Sequence, residues 1–204
     1  MIAILPLLLA QAQPVAPVAL SAGGSEAMRC AETTGALGSS EGMLRVVAAA
    51  SYYVMMAARS DPGTGPFLAR VQELTQLAPQ YAVSKALAPA IAADCRKRFP
   101  LAWTTAPATL PVDPVARDAT CTMAIIVMAG GAESLQKETG DSTYAVRYNA
   151  ALKRFRDHMT EAVLAQHGLT TSAQFVVFAG DQLLASLPFG NVGSITATCE
   201  ALPL

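Results

Sequence analysis

Apolar residues recur along most of this chain at helical rather than strand spacing. From Tyr144 the run Tyr148, Leu152, Phe155, Met159 and Val163 advances in steps of three and four. That spacing draws one apolar stripe on a single long helix, with Asp141 and Ser142 supplying N-cap chemistry and Gly168 a left-handed stop. A new helix is expected to start at Thr171 or Ser172. Met43 to Arg59 is apolar on almost every side, so its helix belongs at the centre of the fold. The turn 61–65 follows, and Pro66 suits the first turn of the next helix. Phe67, Val71, Leu74 and Ala78 form the inner stripe of that helix, and Leu87, Ile91 and Cys95 that of its successor. Arg96, Lys97 and Arg98 sit where cations favour the end of a helix dipole. No stretch shows strand alternation between hairpin turns, and the β-prone Val176-Val177-Phe178 lies within a helical pattern. The expected fold is all-α.

Prolines divide the chain. Pro100, Pro107, Pro111 and Pro114 interrupt the middle, where an uninterrupted helix cannot run. The expected organisation is a signal peptide over 1–12, a flexible leader over 13–25, a first helical unit over 26–99, a Pro-rich linker over 100–116 and a second helical unit over 117–204. Each unit of three to four helices reads as a short helix bearing an early cysteine, a long middle helix, and a third helix broken near its end. The breaks fall at Pro79 and at Pro188-Phe189-Gly190. Cys30 and Cys95 bracket the first unit and Cys121 and Cys199 the second. Four cysteines allow three pairings, and the layout favours Cys30–Cys95 with Cys121–Cys199. The two units would pack as one bundle, and their shared plan suggests an internal duplication.

The leader and the cysteines together imply a compartment. Ile2 to Ala10 is almost pure aliphatic sequence, and Ala10-Gln11-Ala12 gives the small-x-small pattern of a signal-peptidase site, although the segment before it carries no Lys or Arg. Paired cysteines belong to oxidising compartments, so the periplasm or the extracellular space is expected. Hydrophobic residues make up 52% of the 204 and charged residues 14%, with a formal net charge of −1. This is material for a large core, and it argues against disorder and against a nucleic-acid surface. The apolar runs Val46–Ala58, Cys121–Ala132 and Phe175–Leu187 are too short or too polar for a spanning helix of about 20 residues, so no transmembrane span is expected.

Candidate chemistry is sparse. No Cys-x-x-Cys, nucleophile elbow or phosphate loop is present. The two histidines are His158 and His167. His158 and Glu161 would share a helix face, but two ligands fall short of the three or four of a metal site. Asp181, set among Phe, Val, Ala and Leu, would have a raised pKa if buried. Glu133, Glu138 and Asp141 read as ordinary helix-end acids. Arg147 with Lys153, Arg154 and Arg156 reads as a solvated face, His167 as a helix-end cation, and Met55, Met56, Met123 and Met128 as core filler. No cofactor or metal is expected and no catalytic set can be assembled.

Three functional classes follow: a non-catalytic structural or interaction module of the cell envelope, a carrier of an apolar small molecule or lipid, and a metal protein or enzyme using His158 or Asp181. The partner is open between a protein and an apolar ligand.

Overall fold

The structure, a computed structural model, describes residues 19–37 and 42–203. Among these residues the fold is all-helical, with nine α-helices and no strand. The helices are α1 (Ala22–Leu37), α2 (Met43–Ser60), α3 (Phe67–Leu77), α4 (Ala88–Arg98), α5 (Pro114–Thr139), α6 (Thr143–His158), α7 (Glu161–Gln166), α8 (Ser172–Ser186) and α9 (Val192–Glu200). Single 3₁₀ turns cover Ala78–Tyr81, Pro100–Trp103 and Leu187–Phe189. Both expected breaks, at Pro79 and Pro188, are therefore sites where the helix tightens before it stops.

The apolar helix α2 is central, as its pattern requires. It packs along α1 on one side and against α5 and α9 on the other, while α3 meets α8. One continuous core results, running from Met28 and Tyr53 through Ile125 and Phe155 to Leu183 and Ile195. Small residues let the helices approach. A β-carbon on Gly131 of α5 would lie 3.0 Å from both methyls of Val47 on α2. One on Gly193 would lie 3.0 Å from the β-carbon of Ala48.

The disulfides are Cys30–Cys95 and Cys121–Cys199. The first joins α1 to α4 and the second joins α5 to α9. All four sulfur-bearing residues are buried. Further ties reinforce the first unit. Asp61, just past α2, accepts hydrogen bonds from the Ser21 amide and hydroxyl, both at 2.8 Å, at the start of α1. The Asp61 carbonyl accepts from Arg70 Nε on α3 at 2.9 Å. Arg98 reaches Glu26 across the α4–α1 seam.

Several expectations need correction. The signal segment 1–12 lies outside the described residues, as does most of the leader. The leader's last residues, Ala22 to Ser25, are the first turn of α1, where Gly24 is buried against Asp61. The Pro-rich linker is shorter than 100–116. Pro100 opens a 3₁₀ turn, and Pro114 occupies the first turn of α5 behind Asp113, whose carboxylate accepts from the Ala116 amide. Pro114 starts a helix here rather than ending one. In consequence the helix bearing Cys121 is the longest of the nine, not a short one.

The stripe from Tyr144 does not lie on one helix. α6 ends at His158, Met159 leaves helical geometry, and the Thr160 side chain caps α7 by accepting from the Val163 amide. The apolar spacing continues through this break, so periodicity alone conceals it. Asp141, rather than Ser142, supplies the side-chain cap of α6 through the Thr143 amide at 2.9 Å. Gly140 and Gly168 take the positive φ of helix stops, 79° and 72°. Thr171 and Gln174 form the capping box that opens α8. Leu87 is not part of an inner stripe: it stands exposed before α4, whose buried positions are Ala88, Ala92 and Cys95.

Among the described residues one helix, α5, is long and apolar enough to cross a membrane, and 67% of that apolar window is buried inside the protein. The pair α8–α9 passes the same test jointly but is bent by 101° at its break.

Candidate functional site

Where the two halves meet, α2, the segment 102–105, α5, α6 and α9 enclose a half-open cleft of about 240 Å³. Its walls are mainly apolar. Leu44 and Ala48 come from α2, Met128 from α5, Tyr144 and Tyr148 from α6, and Trp103 from the crossover between halves. The Tyr144 and Tyr148 rings are 6.2 Å apart.

Trp103 is fixed from several directions. Its indole N–H donates to the Tyr53 hydroxyl at 3.1 Å. The guanidinium of Arg96 lies 4.2 Å from its ring centroid and that of Arg45 lies 5.9 Å away, both within cation–π range. Burial raises the pKa of Tyr53 above the usual phenol value, with the Trp103 hydrogen bond acting in the opposite sense. Burial also raises that of Tyr148, with the Glu200 carboxylate adding to the effect.

The floor is held by Asn191, the buried N-cap of α9. Its side-chain amide nitrogen lies 2.9 Å from the Leu101 carbonyl and 3.0 Å from those of Ala102 and Thr104. Its side-chain oxygen accepts from the Ser194 amide at 2.9 Å. One residue thus caps a helix of the second half and shares its two N–H donors among three carbonyls of the crossover, of which that of Ala102 is in a buried contact where an unmet acceptor is costly. Thr198 adds a parallel tie, accepting from the Ala108 amide at 2.9 Å.

The residues singled out from sequence do not converge. Asp181 is exposed and borders two surface hollows, not an apolar interior. His158 ends α6 and Glu161 begins α7, so the break removes the shared face on which a His–Glu pair depends. Instead, His158 Nδ1 lies 3.7 Å from the carboxylate of Asp118, a largely buried acid that also accepts from Arg117 Nε at 3.2 Å. Among the described residues no three His, Cys, Asp or Glu side chains group as a metal site. Glu133 is exposed within the last two turns of α5, Glu138 at its end and Asp141 just beyond it.

The basic cluster is largely consumed locally. Arg147 makes a bidentate pair with Glu200, both contacts 2.6 Å, which raises its pKa. Lys153 pairs with Asp157 at 2.6 Å, and Arg154 donates to the Leu202 carbonyl at 2.9 Å. Phe155, interleaved among them, is fully buried.

Sequence reasoning missed Trp103, Asn191, Arg45 and Asp118. Asn191 carried a usable signal, an N-cap residue with Ser194 three positions on. Trp103 carried another, as the one tryptophan of the chain. No protein-family model matches the chain, and neither a curated protein nor a solved structure is significantly similar to it.

Proposed function

We propose that this protein is a non-catalytic binding module, exported to the periplasm or the extracellular space, that holds a small apolar ligand in the cleft between its halves. The observation carrying this reading is the cleft itself. Aromatic and aliphatic side chains from five segments meet there around a rigidly held tryptophan, and small-molecule sites are concave and mainly apolar. The two buried disulfides support an oxidising compartment, and the signal-like start of the chain supports export.

Titration with 1-octanol, followed by Trp103 emission, tests the reading. A saturable spectral change is expected, and it should vanish in Ala197→Phe, which fills the cleft from α9. No change up to the solubility limit of the alcohol would sink the proposal.

A second reading, an interaction module of the envelope, draws on α8. Val176 and Val177 are exposed there beside the hollow formed with Gly168 and Leu169. A photo-cross-linker at position 176 in the native host should then capture one discrete partner, and Val177→Asp should abolish the adduct. An adduct pattern unchanged by that substitution would rule this reading out.

A further inference from the structure

We infer that the cleft selects an amphipathic anion, a short acyl chain or single ring bearing one carboxylate, with its head group at Arg45. This rests on the binding role proposed above and adds the chemical class of the ligand.

Size comes first. A volume of about 240 Å³ lies below the roughly 300–1,000 Å³ of drug-sized sites, so the occupant is small. Next comes the distribution of polar groups. Asn191 sits on the floor, but its amide is already committed to the Leu101, Ala102 and Thr104 carbonyls and its oxygen to the Ser194 amide. Ser194 Oγ donates back to the Asn191 carbonyl at 2.9 Å. The floor therefore has little hydrogen-bonding capacity left for a ligand, and an apolar tail belongs there against Ala48, Met128 and Tyr148.

Arg45 differs from all of these. Among the described residues it is the one charged side chain in the lining, and it is exposed at the rim. It forms no ion pair with a described carboxylate, and it lies over the face of Trp103 at 5.9 Å from the ring centroid. At 5.9 Å from the ring centroid the guanidinium is held only by cation–π attraction, which leaves its N–H donors for a planar anion such as a carboxylate. The neighbouring charges on α6 and α9 are neutralised within the Arg147–Glu200 pair. Arg45 is thus the charged group the lining itself presents, with Arg96 a second cation against the same Trp103 ring. An apolar tail pocket beneath a solvent-facing cation defines the amphipathic anion.

The test compares octanoate with 1-octanol, matched in chain length, on the full disulfide-bonded protein. Because the chain has one tryptophan, Trp103 emission reports this cleft, and titration calorimetry gives an independent constant. Octanoate is expected to saturate at or below about 1 mM and to bind more tightly than octanol. Arg45→Gln should weaken octanoate about five-fold while leaving octanol unchanged, and Arg45→Lys should restore part of the loss. Added salt should weaken octanoate alone. Equal binding of the two probes, or an equal effect of Arg45→Gln on both, would overturn the anion assignment and leave the apolar cleft standing. If neither probe binds a protein whose circular dichroism is native, both readings fall together.

Discussion

The side-chain amide nitrogen of Asn191 lies 2.9 Å from the carbonyl oxygen of Leu101, ninety residues earlier in the chain. Through this contact the N-terminus of α9 grips the crossover that carries Trp103. Asn191→Ala would remove the cap of α9, worth about 0.5–2 kcal/mol, and strand buried carbonyls at about 1–3 kcal/mol. A total loss of about 1.5–5 kcal/mol is expected from urea unfolding. Asn191→Asp keeps the cap but turns a carboxylate oxygen towards three carbonyls, so it should be no less damaging than Ala. An Asp variant as stable as wild type would show that the donor side of Asn191 contributes nothing.

Gly131 tests the packing between halves. A methyl group there would press on Val47, whose β-branched side chain cannot swing its end away. Gly131→Ala should cost about 1–3 kcal/mol through overpacking, despite the better helix propensity of alanine. Val47→Ala should open the space, so the double variant should be more stable than the sum of the single effects predicts. Strict additivity in the double-mutant cycle would mean that α2 and α5 do not meet at this point.

What was legible in the sequence was whatever depends on near neighbours. Steps of three and four gave the helices, Gly168 and Thr171 gave a stop and a start, and the cysteine layout gave the pairing. Local signals failed where two of them competed. At Asp113-Pro114 the proline reads equally as a breaker and as a first-turn residue, and the aspartate cap decided for the second. At Met159-Thr160 the apolar stripe hid a cap one residue further on. The cleft was illegible for another reason. Its lining runs from Leu44 to Ala197, and no local pattern states that α2, the crossover, α6 and α9 will converge. Asp181 misled because a run of apolar neighbours in sequence says little about which face of α8 meets the core. The core takes Ala179, Gly180 and Leu183, leaving the aspartate in water.

The disulfides close sequence separations of 65 and 78 residues. Chain-entropy arguments give about 4 kcal/mol for loops of such lengths, with measured values often lower. Replacing either pair by alanines should therefore lower unfolding free energy by about 2–4 kcal/mol in denaturant melts. Non-reducing peptide mapping of protein from its native host should recover Cys30 with Cys95 and Cys121 with Cys199. It should also find a mature chain beginning at Gln13. Four free thiols on a chain that retains Met1 would remove the basis for placing the protein outside the cytosol.

Asp141 offers a test in pH. Hydrogen bonds from Thr143 to its carboxylate lower its pKa from the ordinary 3.8. These bonds favour the ionised form in the folded chain, so the folded pKa is below the unfolded one. Their contribution to stability is therefore complete above about pH 4 and is lost as the pH falls through the lower folded value. Asp141→Asn should be less stable than wild type at pH 6, and the gap should shrink on acidification towards pH 2. The site is exposed, so the effect on melting temperature is expected to be small. Carboxyl-carbon NMR titration gives the direct reading, an Asp141 midpoint on the acid side of the ordinary 3.8, a direction in which Lys153 also moves Asp157. A midpoint at the ordinary value would mean that Asp141 does not cap α6 in solution, and the boundary between α5 and α6 would then rest on Gly140 alone.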